Sequence, residues 1–126
     1  LTPEGLSSLN LPVMILTGKK DNLTIFSLVV KPIYDLLDTE KVLWTLENAG
    51  HYTFTDLCRI YDLLPPSQQA IFGADCDADN PLSLEEAHRL TIEATTEWFD
   101  LQLKEIPEDG VLEPRQEDEV GVERVD

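Results

Sequence analysis

Hydrophobic positions follow more than one period along this chain. The run Pro12-Val13-Met14-Ile15-Leu16-Thr17-Gly18 is apolar without alternation. Such a run predicts a strand covered on both faces, as in a parallel sheet. Lys41-Val42-Leu43-Trp44-Thr45-Leu46 predicts a second strand. Between them Phe26, Val29, Val30, Ile33, Leu36 and Leu37 recur at helical spacing. Pro32 lies inside that pattern, so the helix either starts there, where proline is tolerated, or is kinked there. The best-marked helix comes last. Ser83 followed by Glu86 forms a capping box, and Leu84, Ala87, Leu90, Ala94, Trp98 and Leu101 make one apolar stripe ending near Lys104. Residues 57–64 predict a short helix stopped by Pro65-Pro66, and residues 67–82 read as irregular. Residues 1–10 are a lead-in, and there is no internal repeat.

Strand, helix, strand is a βαβ unit. Its crossover is right-handed, which brings both strand C-termini to one edge of the sheet. Open α/β sheets build their sites on that edge. Asp21 follows the first strand through Gly18-Lys19-Lys20, and His51 follows the second through Glu47-Asn48-Ala49-Gly50. An imidazole held at such an edge and oriented by a carboxylate is the base of a general acid–base system. Gly50 lets the backbone turn sharply just before His51. The competing readings are a loop histidine without chemistry and, for Asp21, a turn residue in Lys-Lys-Asp-Asn. Asp56 is a rival carboxylate near His51 in sequence. His88 reads as a helix-face residue of the last helix.

Composition narrows the partners. The chain has 126 residues, the size of one domain, and a hydrophobic fraction of 42%, enough for a core. With 25 acidic against 9 basic residues its formal charge is −16. That disfavours nucleic acid, whose phosphates are neutralised by Lys and Arg, and an anionic membrane surface. No apolar run reaches the ~20 residues of a membrane-spanning helix. The chain opens Leu-Thr-Pro-Glu, without a signal peptide or initiator Met, which is the expectation for a processed, excised or incomplete chain. Residues 107–126 hold eight acidic and two basic residues and read as a solvated tail, with a strand or coil docked near Val120–Val122 as an option.

Two further motifs carry chemistry. Asp75, Asp77, Asp79 and Glu86 occupy positions 1, 3, 5 and 12 of a twelve-residue loop, as calcium ligands do in an EF-hand. Asn80 in place of the usual glycine, and Pro81 after it, argue for the plainer reading of an acidic loop leading into a capped helix. Cys58 and Cys76 are either a disulfide or two buried thiols, and composition leaves both open. None of Ser7, Ser8, Ser27, Ser67 and Ser83 sits in Gly-x-Ser-x-Gly, the turn that exposes a nucleophilic hydroxyl. There is no Gly-rich phosphate loop and no zinc-ligand spacing.

Over residues 1–104 the chain resembles the C-terminal portion of an α/β-hydrolase, closest to dienelactone-hydrolase-like and platelet-activating-factor-acetylhydrolase-like serine esterases. The likeness is carried by Thr2-Pro3-Glu4-Gly5-Leu6, by Leu11 to Asp21, by Ala49-Gly50-His51-Tyr52-Thr53-Phe54-Thr55-Asp56-Leu57-Cys58, and by Glu85 to Leu90 with Trp98-Phe99. It implies an α/β fold: two parallel strands, a crossover helix and a final amphipathic helix over residues 1–106, with an incomplete sheet; the flexible acidic tail over 107–126 is the expectation from composition. It gives Asp21 and His51 the roles of triad acid and base, needs no cofactor, and makes an ester the substrate. The nucleophilic serine and oxyanion loop are missing, so the implied partner is the N-terminal half of the same hydrolase. The resemblance also favours a Cys58–Cys76 disulfide, hence a secreted or periplasmic location over a cytoplasmic one. The alternatives are a small acidic calcium-binding or interaction module and a catalytically dead hydrolase relative.

Overall fold

The computed structural model describes residues 2–76, 80–104 and 111–125. They form a mixed α/β structure around a four-stranded mixed sheet. Helix α1 (Pro3–Ser7) is short and capped by Thr2, whose Oγ1 accepts the Gly5 N–H at 3.1 Å. Strand β1 (Val13–Gly18) runs parallel to β2 (Lys41–Leu46), with Val13 opposite Lys41 and Gly18 opposite Leu46. One π-helical turn, Phe26–Val30, leads into α2 (Lys31–Leu36). Pro32 stands in the first turn of α2, directly after the π-helical turn, so the helical stretch changes type there, where the missing proline N–H is accommodated. The buried Lys41 ammonium donates to the Tyr34 and Leu37 carbonyls at 3.0 and 2.7 Å, satisfying the C-terminal end of α2.

The sheet is larger than the two parallel strands expected. Val120–Val125 forms β4, antiparallel to β2, and Arg115–Glu117 forms β3 on its outer side, giving the order β1-β2-β4-β3. Within the acidic stretch 107–126 the option of a docked strand near Val120–Val122 is the one the structure takes, as residues 115–117 and 120–125 pair into the sheet. The reason lies in Val120-Gly121-Val122: both valines face the core, and Gly121 permits close packing where a Cβ would come within 2.5 Å of Thr45 Oγ1. With β4 in place all six residues of β2 are buried.

Period-two alternation divides the core. Val42, Trp44, Leu46, Val120 and Val122 pack on one face against Ala87, Ala94 and Trp98 of α4 (Leu84–Lys104). Leu43 packs on the other face with Val30 and Tyr34, and Ile15 joins them. Helix α4 starts where expected, with Ser83 Oγ accepting the Glu86 N–H at 3.1 Å. Glu86 itself turns to Arg89.

The segment between His51 and α4 also differs from expectation. Two 3₁₀ turns, Asp56–Arg59 and Tyr61–Leu63, stand in place of one short helix, and much of the stretch 67–82 expected to be irregular belongs to α3 (Pro66–Cys76). Pro66 occupies the first helical position, so the Pro-Pro pair starts a helix as well as stopping one. No residue of α3 is buried, which is why no apolar stripe announced it. Its end is tied by a Cys58–Cys76 disulfide, Cα–Cα 5.1 Å. No described helix is long and apolar enough to cross a membrane.

Candidate active site at the strand ends

The turn after β1 folds against the turn after β2. Lys19 and Lys20 donate their N–H groups to the Leu46 and Ala49 carbonyls at 2.9 and 3.0 Å. Gly18 makes this possible, because a Cβ there would overlap the Ala49 backbone. The chain then turns at Asp21, whose N–H reaches the Gly18 carbonyl. Two loops are thus locked together, one carrying the carboxylate and the other the imidazole.

Asp21 Oδ2 lies 2.8 Å from His51 Nδ1. Its other oxygen accepts the N–H groups of Leu23 and Thr24, each at 2.8 Å. The side chain is only 9% exposed. Burial pushes its pKa up, but the Thr24 amide, the His51 ring and the Leu23 amide outweigh that and hold the carboxyl below its ordinary value. A carboxylate in this position selects the His51 tautomer with its proton on Nδ1 and leaves the Nε2 lone pair outward. His51 is 40% exposed, and no described residue takes its Nε2.

Both residues border a groove of about 340 Å³ walled by Leu16, Val30, Ile33 and Phe54. The groove is chiefly apolar and within the usual range for small-molecule sites. The hydroxyl side chains lining it are Thr17 and Thr24; no serine does among the described residues. The pair can therefore accept and return a proton beside an apolar group, but holds no activated nucleophile of its own.

Of the other residues singled out from sequence, Asp56 is exposed and pairs with Arg59 at 3.1 Å rather than with His51. His88 lies on α4, its Nε2 buried without a hydrogen-bond partner among the described residues. Phe54 both packs on the core and walls the groove. Asp77 and Asp79 lie outside the described residues. Asp75 accepts the Tyr52 N–H at 2.6 Å, and Glu86 pairs with Arg89, so these two carboxylates are directed to different places. Among the described residues no cluster of three or more His, Cys, Asp or Glu is arranged to hold a metal.

Two supports of the His51 loop were not legible in sequence. Glu119, in the β3–β4 turn, accepts the Asn48 N–H and side-chain amide, both at 2.7 Å. Asp75, near the end of α3, holds the loop at Tyr52. Each sits in an element that the apolar periodicity did not reveal. No family model, curated protein or solved structure matches the chain.

Proposed function

We propose that this chain is the acid- and base-bearing segment of a serine carboxylic-ester hydrolase of the α/β-hydrolase type, with the nucleophile supplied from outside these 126 residues. The observation that carries the reading is the 2.8 Å contact between His51 Nδ1 and a buried Asp21, made at the C-terminal edge of two parallel strands and beside an apolar groove. In this mechanism a serine hydroxyl attacks the ester carbonyl while His51 Nε2 takes its proton. His51 then returns that proton to the departing alcohol, and water, activated by the same nitrogen, releases the acid. Asp21 keeps the ring in the tautomer that can accept at Nε2 and stabilises the imidazolium. The groove beside His51 holds the apolar part of the substrate. The partner is the segment bearing the nucleophile, seated along the outer edge of β1, and the disulfide fits export to an oxidising compartment.

The test is labelling of the native material that contains this chain with a fluorophosphonate, followed by mapping of the modified residue by mass spectrometry. The expected label is on a serine of Gly-x-Ser-x-Gly outside these residues, with labelling and ester turnover lost in His51→Ala. In the intact enzyme Asp21→Asn should lower kcat on the order of 10⁴-fold, because it favours the wrong tautomer. Hydrolysis of an aryl ester by the 126-residue chain alone, abolished by His51→Ala, would overturn the proposed division of roles. Absence of label in the native material would point to a catalytically dead relative.

A further inference from the structure

Helix α3 sits outside the core, yet three of its last five residues reach toward the segment that carries His51. Phe72 stacks edge-on against Tyr52, ring centroids 4.7 Å apart, and Tyr52 in turn meets the His51 ring at 5.0 Å in the same edge-on manner. One helical turn further on, Asp75 Oδ2 accepts the Tyr52 N–H at 2.6 Å. Cys76 anchors the helix end covalently to Cys58. The Asp75 carboxylate fits over Gly50, where any Cβ would overlap it. So the residues before and after His51 in the chain are both fixed by one carboxylate: Gly50 by close packing and Tyr52 by a charge-assisted hydrogen bond.

We infer that Asp75 is a positioning residue for His51, acting through the Tyr52 backbone, and that α3 is the brace that presents it. This rests on the hydrolase reading above for its catalytic meaning. Asp21 fixes the ring's proton; Asp75 fixes where the ring stands. A ring swinging by an ångström would lose its bond to Asp21 and its alignment with a nucleophile, the kind of displacement that costs about 10²-fold in rate. The energetic basis is a short hydrogen bond to an ionised acceptor, stronger than a neutral one.

The experiment follows the His51 ring by ¹⁵N NMR in the labelled chain, comparing wild type, Asp21→Asn, Asp75→Ala and Asp75→Asn. The readouts are the tautomer of the neutral imidazole and the downfield Nδ1 proton. Wild type should give one tautomer, protonated at Nδ1, with a resolved downfield proton. Asp75→Ala should lose the downfield signal and average the tautomers while circular dichroism stays native. Asp75→Asn retains an oxygen acceptor for the Tyr52 N–H and should restore the wild-type signature. The inference is overturned if Asp75→Ala keeps that signature, or if Asp75→Asn loses it as fully as alanine does. Were the alanine variant not to fold, amide exchange in the wild-type protein decides: Tyr52 N–H should be protected by roughly tenfold or more, and free exchange would refute the bond. Asp21→Asn separates the two levels of the argument. If it leaves the ring unchanged, the Asp21–His51 pair itself fails and this inference with it; if it alters the ring but Asp75→Ala does not, only Asp75 is dismissed.

Discussion

Asp21 gathers three hydrogen bonds on two oxygens in a nearly buried setting, and its charge state should therefore be visible in stability. Its carboxyl is depressed below the ordinary 3.8 in the folded protein. Folding thus favours the ionised form. The stabilisation is complete above the unfolded-state value and drains away as pH falls through the lower folded-state value. Thermal melts should accordingly show Tm falling at pH below about 4. Asp21→Asn should lower Tm at neutral pH and narrow the gap to wild type as the solution becomes more acidic. A gap that stays constant from pH 7 downward would mean that Asp21 contributes through shape rather than charge.

At the scale of elements, the disulfide and the β3–β4 hairpin each support one side of the His51 loop. Cys58 and Cys76 are 18 residues apart. The chain-entropy model gives such a crosslink roughly 3 kcal/mol, which for a domain of this size is on the order of 10 °C in Tm. Calorimetry with and without reductant should show that loss, and Tyr52 amide exchange should accelerate under reductant as the end of α3 loosens. On the other side, Gly121→Val would drive a side chain into Thr45 and Gln116. It should destabilise by about 1–3 kcal/mol, read as a lower denaturation midpoint at unchanged slope. What was legible in the sequence follows the same division. Strands β1 and β2 and helix α4 announced themselves through continuous apolar runs or one apolar stripe. From them the edge carrying Asp21 and His51 could be deduced. No residue of helix α3 is fully buried, and β4 contributes only Val120, Gly121 and Val122 to the interior within an acidic stretch. Hydrophobic periodicity detects burial, so elements held by a disulfide, a cap or main-chain pairing pass beneath it. Asp75 was visible only as a loop carboxylate, since its real partner is a backbone N–H 23 residues away.

The whole molecule carries a formal charge of −16, and several of its nine basic residues are held in ion pairs. Lys31 meets Asp35 and Glu123, Arg89 meets Glu86 and Glu93, Lys104 meets Asp100, and Lys19 meets Glu47. Exposed pairs of this kind are worth about 0–1 kcal/mol each, so the remaining carboxylates, repelling one another across the surface, set the sign of the salt response. Raising sodium chloride shortens the screening length from about 30 Å at 0.01 M to about 8 Å at 0.15 M. The net effect should be an increase in Tm of a few degrees, saturating once repulsion is screened. Dominance of the ion pairs would produce a decrease instead. The same charge has a second consequence. Strand β1 lies at the edge of the sheet, and Leu11, Leu23 and Leu28, which flank it along the chain, stand more than half exposed. An unpaired edge beside apolar side chains is a template for association. Mutual repulsion keeps copies apart at low salt, so screening should stabilise the single chain and promote its self-association together. Protein concentration separates the two effects: the Tm increase at fixed salt should persist on dilution, while the sedimentation coefficient should rise with concentration only at high salt. A chain that remains monomeric at high salt and high concentration would show that the β1 edge is not an adhesive surface by itself.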